Sequence, residues 1–153
     1  MGYTHYWRQQ RSFSRPEWTN VMAATRRIVD VCKTNDIRLV QEYDTDLPPV
    51  ITDEFIQFNG HGEDGHETFY ITRITPELEP WMRGESFAFC KTARKPYDGA
   101  VCLVLLAVYR LAPEVFQISS DGHWEEDWEC WVRSFKTIFR EKSRLSCPWG
   151  DTD

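Results

Sequence analysis

The sequence predicts an α+β fold: a mostly antiparallel sheet of about five to six strands with three helices packed on it, in the order β-α-β-β-β-β-α-β-α. Three observations carry that expectation. Ser14-Arg15-Pro16-Glu17 is a capping-box sequence that opens a stretch of helical periodicity. Ala100–Tyr109 is apolar throughout but far shorter than the roughly 20 residues of a bilayer span, which marks a buried core helix. Short segments of alternating character, separated by turn residues, fill most of the remainder.

Taken in order, residues 3–8 alternate Tyr3, His5 and Trp7 with Thr4, Tyr6 and Arg8, as a strand covered on both faces would. After the Ser14 cap, Trp18, Val21, Met22, Thr25, Ile28, Val29 and Cys32 recur at helical spacing to about Asn35. Ile37–Tyr43 and Ile51–Phe58 read as extended, with an acidic turn holding Pro48-Pro49 between them. Residues 59–65 carry three glycines and predict a flexible hairpin loop, and His66–Arg73 returns as a strand. Residues 75–81, with two prolines, predict a short connector. Residues 85–91 form a strand, and Asp98 is placed to cap the apolar helix from Gly99 to about Leu111. Glu114–Ser119 is a further strand. The last helix is expected over about His123 to Arg144, with acids at its start and bases at its end to match its dipole. One domain over residues 1–146 with a loose tail, 147–153, is the expected organisation.

Composition narrows the function classes. Hydrophobic residues are 41% and aromatics 14% of 153 residues, enough for a packed core rather than a disordered chain. Five cysteines without a CxxC pair predict reduced thiols and a cytoplasmic protein. No signal peptide or membrane span is expected. The net charge of −6 argues against duplex nucleic acid as a partner, because such affinity comes from neutralised phosphates. A small anionic ligand needs only a local basic cluster.

Such a cluster exists. Lys91, Thr92, Arg94, Lys95 and Tyr97 lie between a strand end and the start of a buried helix, where free N–H groups favour anions. A solvated polar turn is the alternative reading of the same residues. Cys90 and Arg94 are separated by three residues, not the five of a phosphatase loop, and the Gly-rich run of a Walker loop is missing. His61 and His66 are not spaced to aim two imidazoles at one metal, so neither a metal site nor a cofactor is expected. His5 and Trp7 share a strand face that suits either a core or a stacked base.

Met1-Gly2-Tyr3-Thr4-His5-Tyr6-Trp7, Phe58-Asn59-Gly60, His66-Glu67-Thr68-Phe69 and the run from Phe89 through Asp98 together give a resemblance. The chain resembles a family of short proteins encoded by tailed phages and bacteria, many beginning with this heptapeptide. The resemblance implies a phage or mobile-element context and carries over no catalytic residue. Small phage proteins often counter host defences, some by sequestering nucleotide immune signals, and by that analogy the host cytoplasm is the expected location.

The functional expectation is a binding protein that sequesters a small phosphate-bearing ligand such as a nucleotide second messenger. Lys91, Arg94 and Lys95, with Thr92 beside them, are expected to hold phosphate. Trp7, Tyr97 and His5 are expected to contact the base, and Asn59 and His66 to complete the rim. The alternatives are a small phosphate-ester hydrolase using His5 or His66 as acid/base, and a protein–protein inhibitor with an acidic decoy surface. Homo-oligomerisation stays open.

Overall fold

The computed structural model describes residues 2–76 and 86–150. Part of the expected connector over 75–81, the first residue of the expected strand 85–91 and the end of the tail lie outside the described residues. The fold is α+β, with every strand pairing antiparallel.

Among the described residues the strands form two sheets rather than one. In the first, β1 (Thr4–Gln9) lies between β6 (Ser86–Lys91) and β7 (Phe116–Ser120). In the second, β4 (Phe55–Gly60) is the hub. It pairs with β2 (Leu39–Val40), β3 (Val50–Ile51) and β5 (Phe69–Thr72). The extended segment expected over 51–58 is broken at Thr52, whose N–H donates to the Phe55 carbonyl and whose hydroxyl accepts from the Phe55 N–H, so that β3 and β4 make a tight hairpin. Aromatic rings join the sheets: Trp7 of β1 meets Phe69 of β5 at 5.2 Å and Phe116 of β7 at 6.0 Å between centroids.

Helix α1 (Arg15–Thr34) starts as its sequence predicts. Ser14 Oγ accepts from the Glu17 N–H at 3.2 Å, and Glu17 Oε1 accepts from the Ser14 N–H at 2.8 Å. Arg11 completes the corner by donating to both Glu17 oxygens. Helix α2 (Asp98–Leu111) is buried from Asp98 to Val108 and packs against both α1 and α3.

Asp98 does not cap α2. The cap position is Tyr97, without a side-chain cap bond, and Asp98 is the first helical residue with its carboxylate turned inward. Helix α3 (Glu129–Phe139) is also shorter than its charge pattern suggests. At its start, the Asp127 carboxylate accepts from the His123 N–H at 2.7 Å and from Arg94, which ties residues 123–128 into a turn. At its end Arg140 is left-handed, φ 52°, and the helix stops there. Within the expected tail, Trp149 packs edge-on against Trp124 and Trp128. Among the described residues no helix is long and apolar enough to cross a membrane.

Candidate functional site

The segment Lys91–Asp98 leaves β6 and enters α2 through a tight turn. The Lys95 N–H donates to the Thr92 carbonyl at 3.0 Å, and the two residues between them, Ala93 and Arg94, are both left-handed at φ 52° and 58°. Asn-Gly is the usual filling for such a turn, and side-chain-bearing residues there cost on the order of 1–2 kcal/mol each. The surroundings hold it in place: the Thr92 and Ala93 N–H groups both donate to the Tyr3 carbonyl, and the Thr92 hydroxyl donates inward to Asp98 Oδ1.

Beneath the turn lies a buried polar chain. His5 Nε2 is 2.7 Å from Asp98 Oδ1, and His5 Nδ1 is 2.8 Å from Ser120 Oγ. Ser120 Oγ accepts from the Gly122 N–H and the Trp128 indole N–H, which uses both its lone pairs. Its own proton therefore goes to His5 Nδ1, and His5 donates through Nε2 to Asp98. Asp98 thus receives from Thr92 and His5 together. Cys102, one turn along α2, places its sulfur 3.5 Å from His5 Nε2.

The order Ser120–His5–Asp98 has the members of a nucleophilic triad, but His5 is fully buried and the serine oxygen is saturated. His5, Asp98 and Cys102 also present the donor types zinc takes, within 4.8 Å of one another. The 2.7 Å between His5 and Asp98 is a hydrogen-bond length, against about 3.3 Å between two donors on tetrahedral zinc. The chain is a brace for the turn.

The three cations of the turn diverge. Lys91 lies over the Gly2 backbone, where a Cβ on Gly2 would come within 2.9 Å of its Cε. Arg94 sits 3.8 Å above the Tyr3 ring and pairs with Asp127 Oδ1 at 3.2 Å. The N–H of His123, with Arg94 beside it, lowers the Asp127 carboxyl from its ordinary range. Lys95 alone of the three lines a cleft of about 540 Å³ with His66, Tyr43, Gly62, Gly65, Glu63 and Glu67.

That cleft is shaped by Asn59, which sequence reasoning placed on the rim. Asn59 is fully buried; its Oδ1 accepts from the N–H groups of Gly60 and His66, and its Nδ2 donates to the His66 carbonyl and Thr68. The loop is therefore braced rather than flexible, with a 3-10 turn at Gly62–Asp64. Its backbone closes so tightly that a Cβ on Gly65 would lie 2.3 Å from the Gly60 carbonyl oxygen. His66 is exposed. Its Nδ1 lies 2.9 Å from the Lys91 carbonyl, so Nδ1 donates there and Nε2 is left as an acceptor. His61 bonds to Asp46 instead, so the two histidines serve different partners.

Comparison with protein families, with curated proteins and with solved structures finds no match for this chain.

Of the residues expected at the site, His66 and Lys95 line one cleft. His5, Trp7, Asn59, Thr92 and Tyr97 are buried, at 5% exposure or less, and act from behind the surface. The Tyr97 hydroxyl donates to the Glu67 carbonyl and so ties the start of α2 to the segment between the glycine-rich loop and β5, which holds His66. Cys90 is fully buried, and burial pushes its thiol up to about 12, which removes it as a nucleophile. Sequence reasoning missed Tyr43, the ring of the cleft, because it read 37–43 as extended; β2 covers only Leu39–Val40, and Tyr43, 62% exposed, stands in the turn beyond it. It also missed Ser120. The Asp98–Cys102 pair was visible in principle, as two polar residues four apart on an otherwise apolar helix.

Proposed function

We propose that this protein binds and sequesters a small phosphate-bearing ligand of the nucleotide class in the cleft between the glycine-rich loop and the turn before α2. One observation carries this reading: His66 and Lys95, far apart in the chain, line one cleft of about 540 Å³ with an exposed tyrosine on its wall. That volume lies within the range of small-molecule sites, about 300–1,000 Å³. Lys95 supplies a point charge for phosphate, Tyr43 a face for a base, and the glycines allow close backbone approach.

The cleft is mixed in charge, which favours a nucleotide over a bare phosphate. Glu67 is occupied by the Lys91 N–H at 2.7 Å, but Glu63 remains to accept from the amino or hydroxyl groups of a base or sugar. Sequestration is favoured over hydrolysis because the His5 chain is sealed from the cleft, the Cys90 thiol is buried, and His66 has no serine, threonine or cysteine beside it among the residues lining the cleft. A phage context, implied by the resemblance, is consistent with capture of a nucleotide signal.

The test is calorimetric titration with a panel of mono-, di- and cyclic nucleotides, followed by chromatography of the recovered ligand. Wild type should bind a member of the panel and return it intact, and Lys95→Ala should bind it roughly ten- to a hundredfold more weakly, the loss of one charge-assisted bond. Turnover of the ligand would replace sequestration by hydrolysis.

A further inference from the structure

The sheet face turned away from the helices holds a second set of features. The inward residues of β1, β6 and β7, among them Trp7, Cys90 and Ile118, are buried. The outward ones are not: Phe87 is 48% exposed and Phe89 54%. Cross-strand register sets Phe89 beside Tyr6 and Phe87 beside Arg8, with Ser119 and Gln117 on the far strand. The Tyr6 and Phe87 rings are nearly parallel, 9° apart in plane and 6.2 Å between centroids, and Phe87 and Phe89 are 6.1 Å apart. The Arg8 guanidinium lies 4.8 Å from the Phe87 centroid, and Lys91 ends the same row of β6. Asp121, at the corner, is occupied by the Tyr6 hydroxyl and the Thr4 N–H. A protein of net charge −6 thus carries two cations and three clustered rings on one open face.

We propose that this face binds single-stranded nucleic acid, with bases stacked on Tyr6, Phe89 and, as the Arg8 guanidinium turns from it to a phosphate, Phe87, and with Lys91 on a second phosphate. Exposed rings on a sheet present flat apolar faces to any unpaired base, and residues two apart on a strand space those faces by about 6.6 Å, close to the spread of consecutive bases. Duplex is disfavoured, since its bases are already stacked and the acidic remainder of the protein repels its denser charge. A cleft of about 530 Å³ adjoins the face where Trp149 stands beside Ser119 and Gln117, giving the strand a path off the sheet.

The experiment is fluorescence anisotropy with labelled hexamers of uridylate and of thymidylate, and with a duplex of equal length. Single strands should bind and the duplex should not. With two phosphates neutralised, the slope of log K against log salt should be about −1.4. Phe87→Ala should weaken binding roughly five- to hundredfold, as loss of one stacking ring does. Arg8→Gln, which leaves every ring in place, should halve the salt slope and serves if Phe87→Ala does not fold. Absence of single-strand binding at low salt, equal binding of the duplex, or unchanged affinity in Phe87→Ala overturns the proposal. So does sedimentation showing a dimer that Phe87→Ala dissolves and the hexamers do not, because the face would then be an interface between copies.

Discussion

Asp98→Ala tests the brace under the turn. The carboxylate accepts from the Thr92 hydroxyl and from His5 Nε2, and both donors belong to residues with no exposed surface. Alanine leaves the Thr92 hydroxyl unsatisfied and His5 Nε2 with only the weak sulfur acceptor of Cys102. A buried donor without a partner costs about 1–3 kcal/mol, so the expected loss is about 2–6 kcal/mol. Domains of this size have roughly 5–15 kcal/mol in total, and about 2–4 °C of Tm follows each kcal/mol, so a mid-range loss of about 4 kcal/mol lowers Tm by roughly 8–16 °C. Asp98→Asn should be much milder, because the amide oxygen can still accept from both donors. Urea denaturation of the three proteins measures this, with an unchanged slope showing that only stability has moved. If Asp98→Ala falls by less than about 1 kcal/mol, or no more than Asp98→Asn, the brace reasoning is wrong.

Other perturbations have equally direct outcomes. Arg94→Ala removes a cation from the Tyr3 ring and an exposed ion pair, so it should cost about 1 kcal/mol of stability and leave nucleotide binding unchanged, which equilibrium unfolding and calorimetry check together. Ser14→Ala should cost on the order of 1 kcal/mol in the same unfolding assay. The Glu17 carboxyl is lowered to about 2 by Arg11 first and the Ser14 N–H second. Its contribution is thus complete above the unfolded value near 4.5 and is lost as pH falls from there toward 2; the acid limb of a pH–stability profile should flatten in Glu17→Gln. Of the five cysteines, exposed Cys130 and half-buried Cys147 should react with a thiol reagent in the native state. Cys32, Cys90 and Cys102 should react only on unfolding, since burial raises all three thiols.

The fold was legible where local signals agree. Ser14 and Glu17 define the α1 start because both halves of a capping box lie within four residues, and the apolar run of α2 could only be core. The two-sheet arrangement was not legible, because Trp7 meeting Phe69 is a contact across the whole fold. Helix α3 misled because its acids match a helix dipole, whereas Asp127 is engaged with His123 and Arg94, which is 33 residues away. The site was legible in part for a related reason. Adjacency in sequence suggested that Lys91, Arg94 and Lys95 act together, but two consecutive left-handed residues turn the chain between them and send their side chains to different surfaces. His66 was read as the first residue of a strand, but β5 begins at Phe69, and His66 stands in the loop before it, where it lines the cleft.

Amide chemical-shift mapping of an isotope-labelled sample during nucleotide titration tests the central claim most directly. The account predicts that the N–H signals of Gly62, Gly65, His66 and Lys95 move together and saturate with one affinity, while those of residues facing Arg94, such as His123 and Asp127, stay in place. Movement centred on Arg94, or a titration that leaves the cleft residues unmoved across the whole panel, would contradict it.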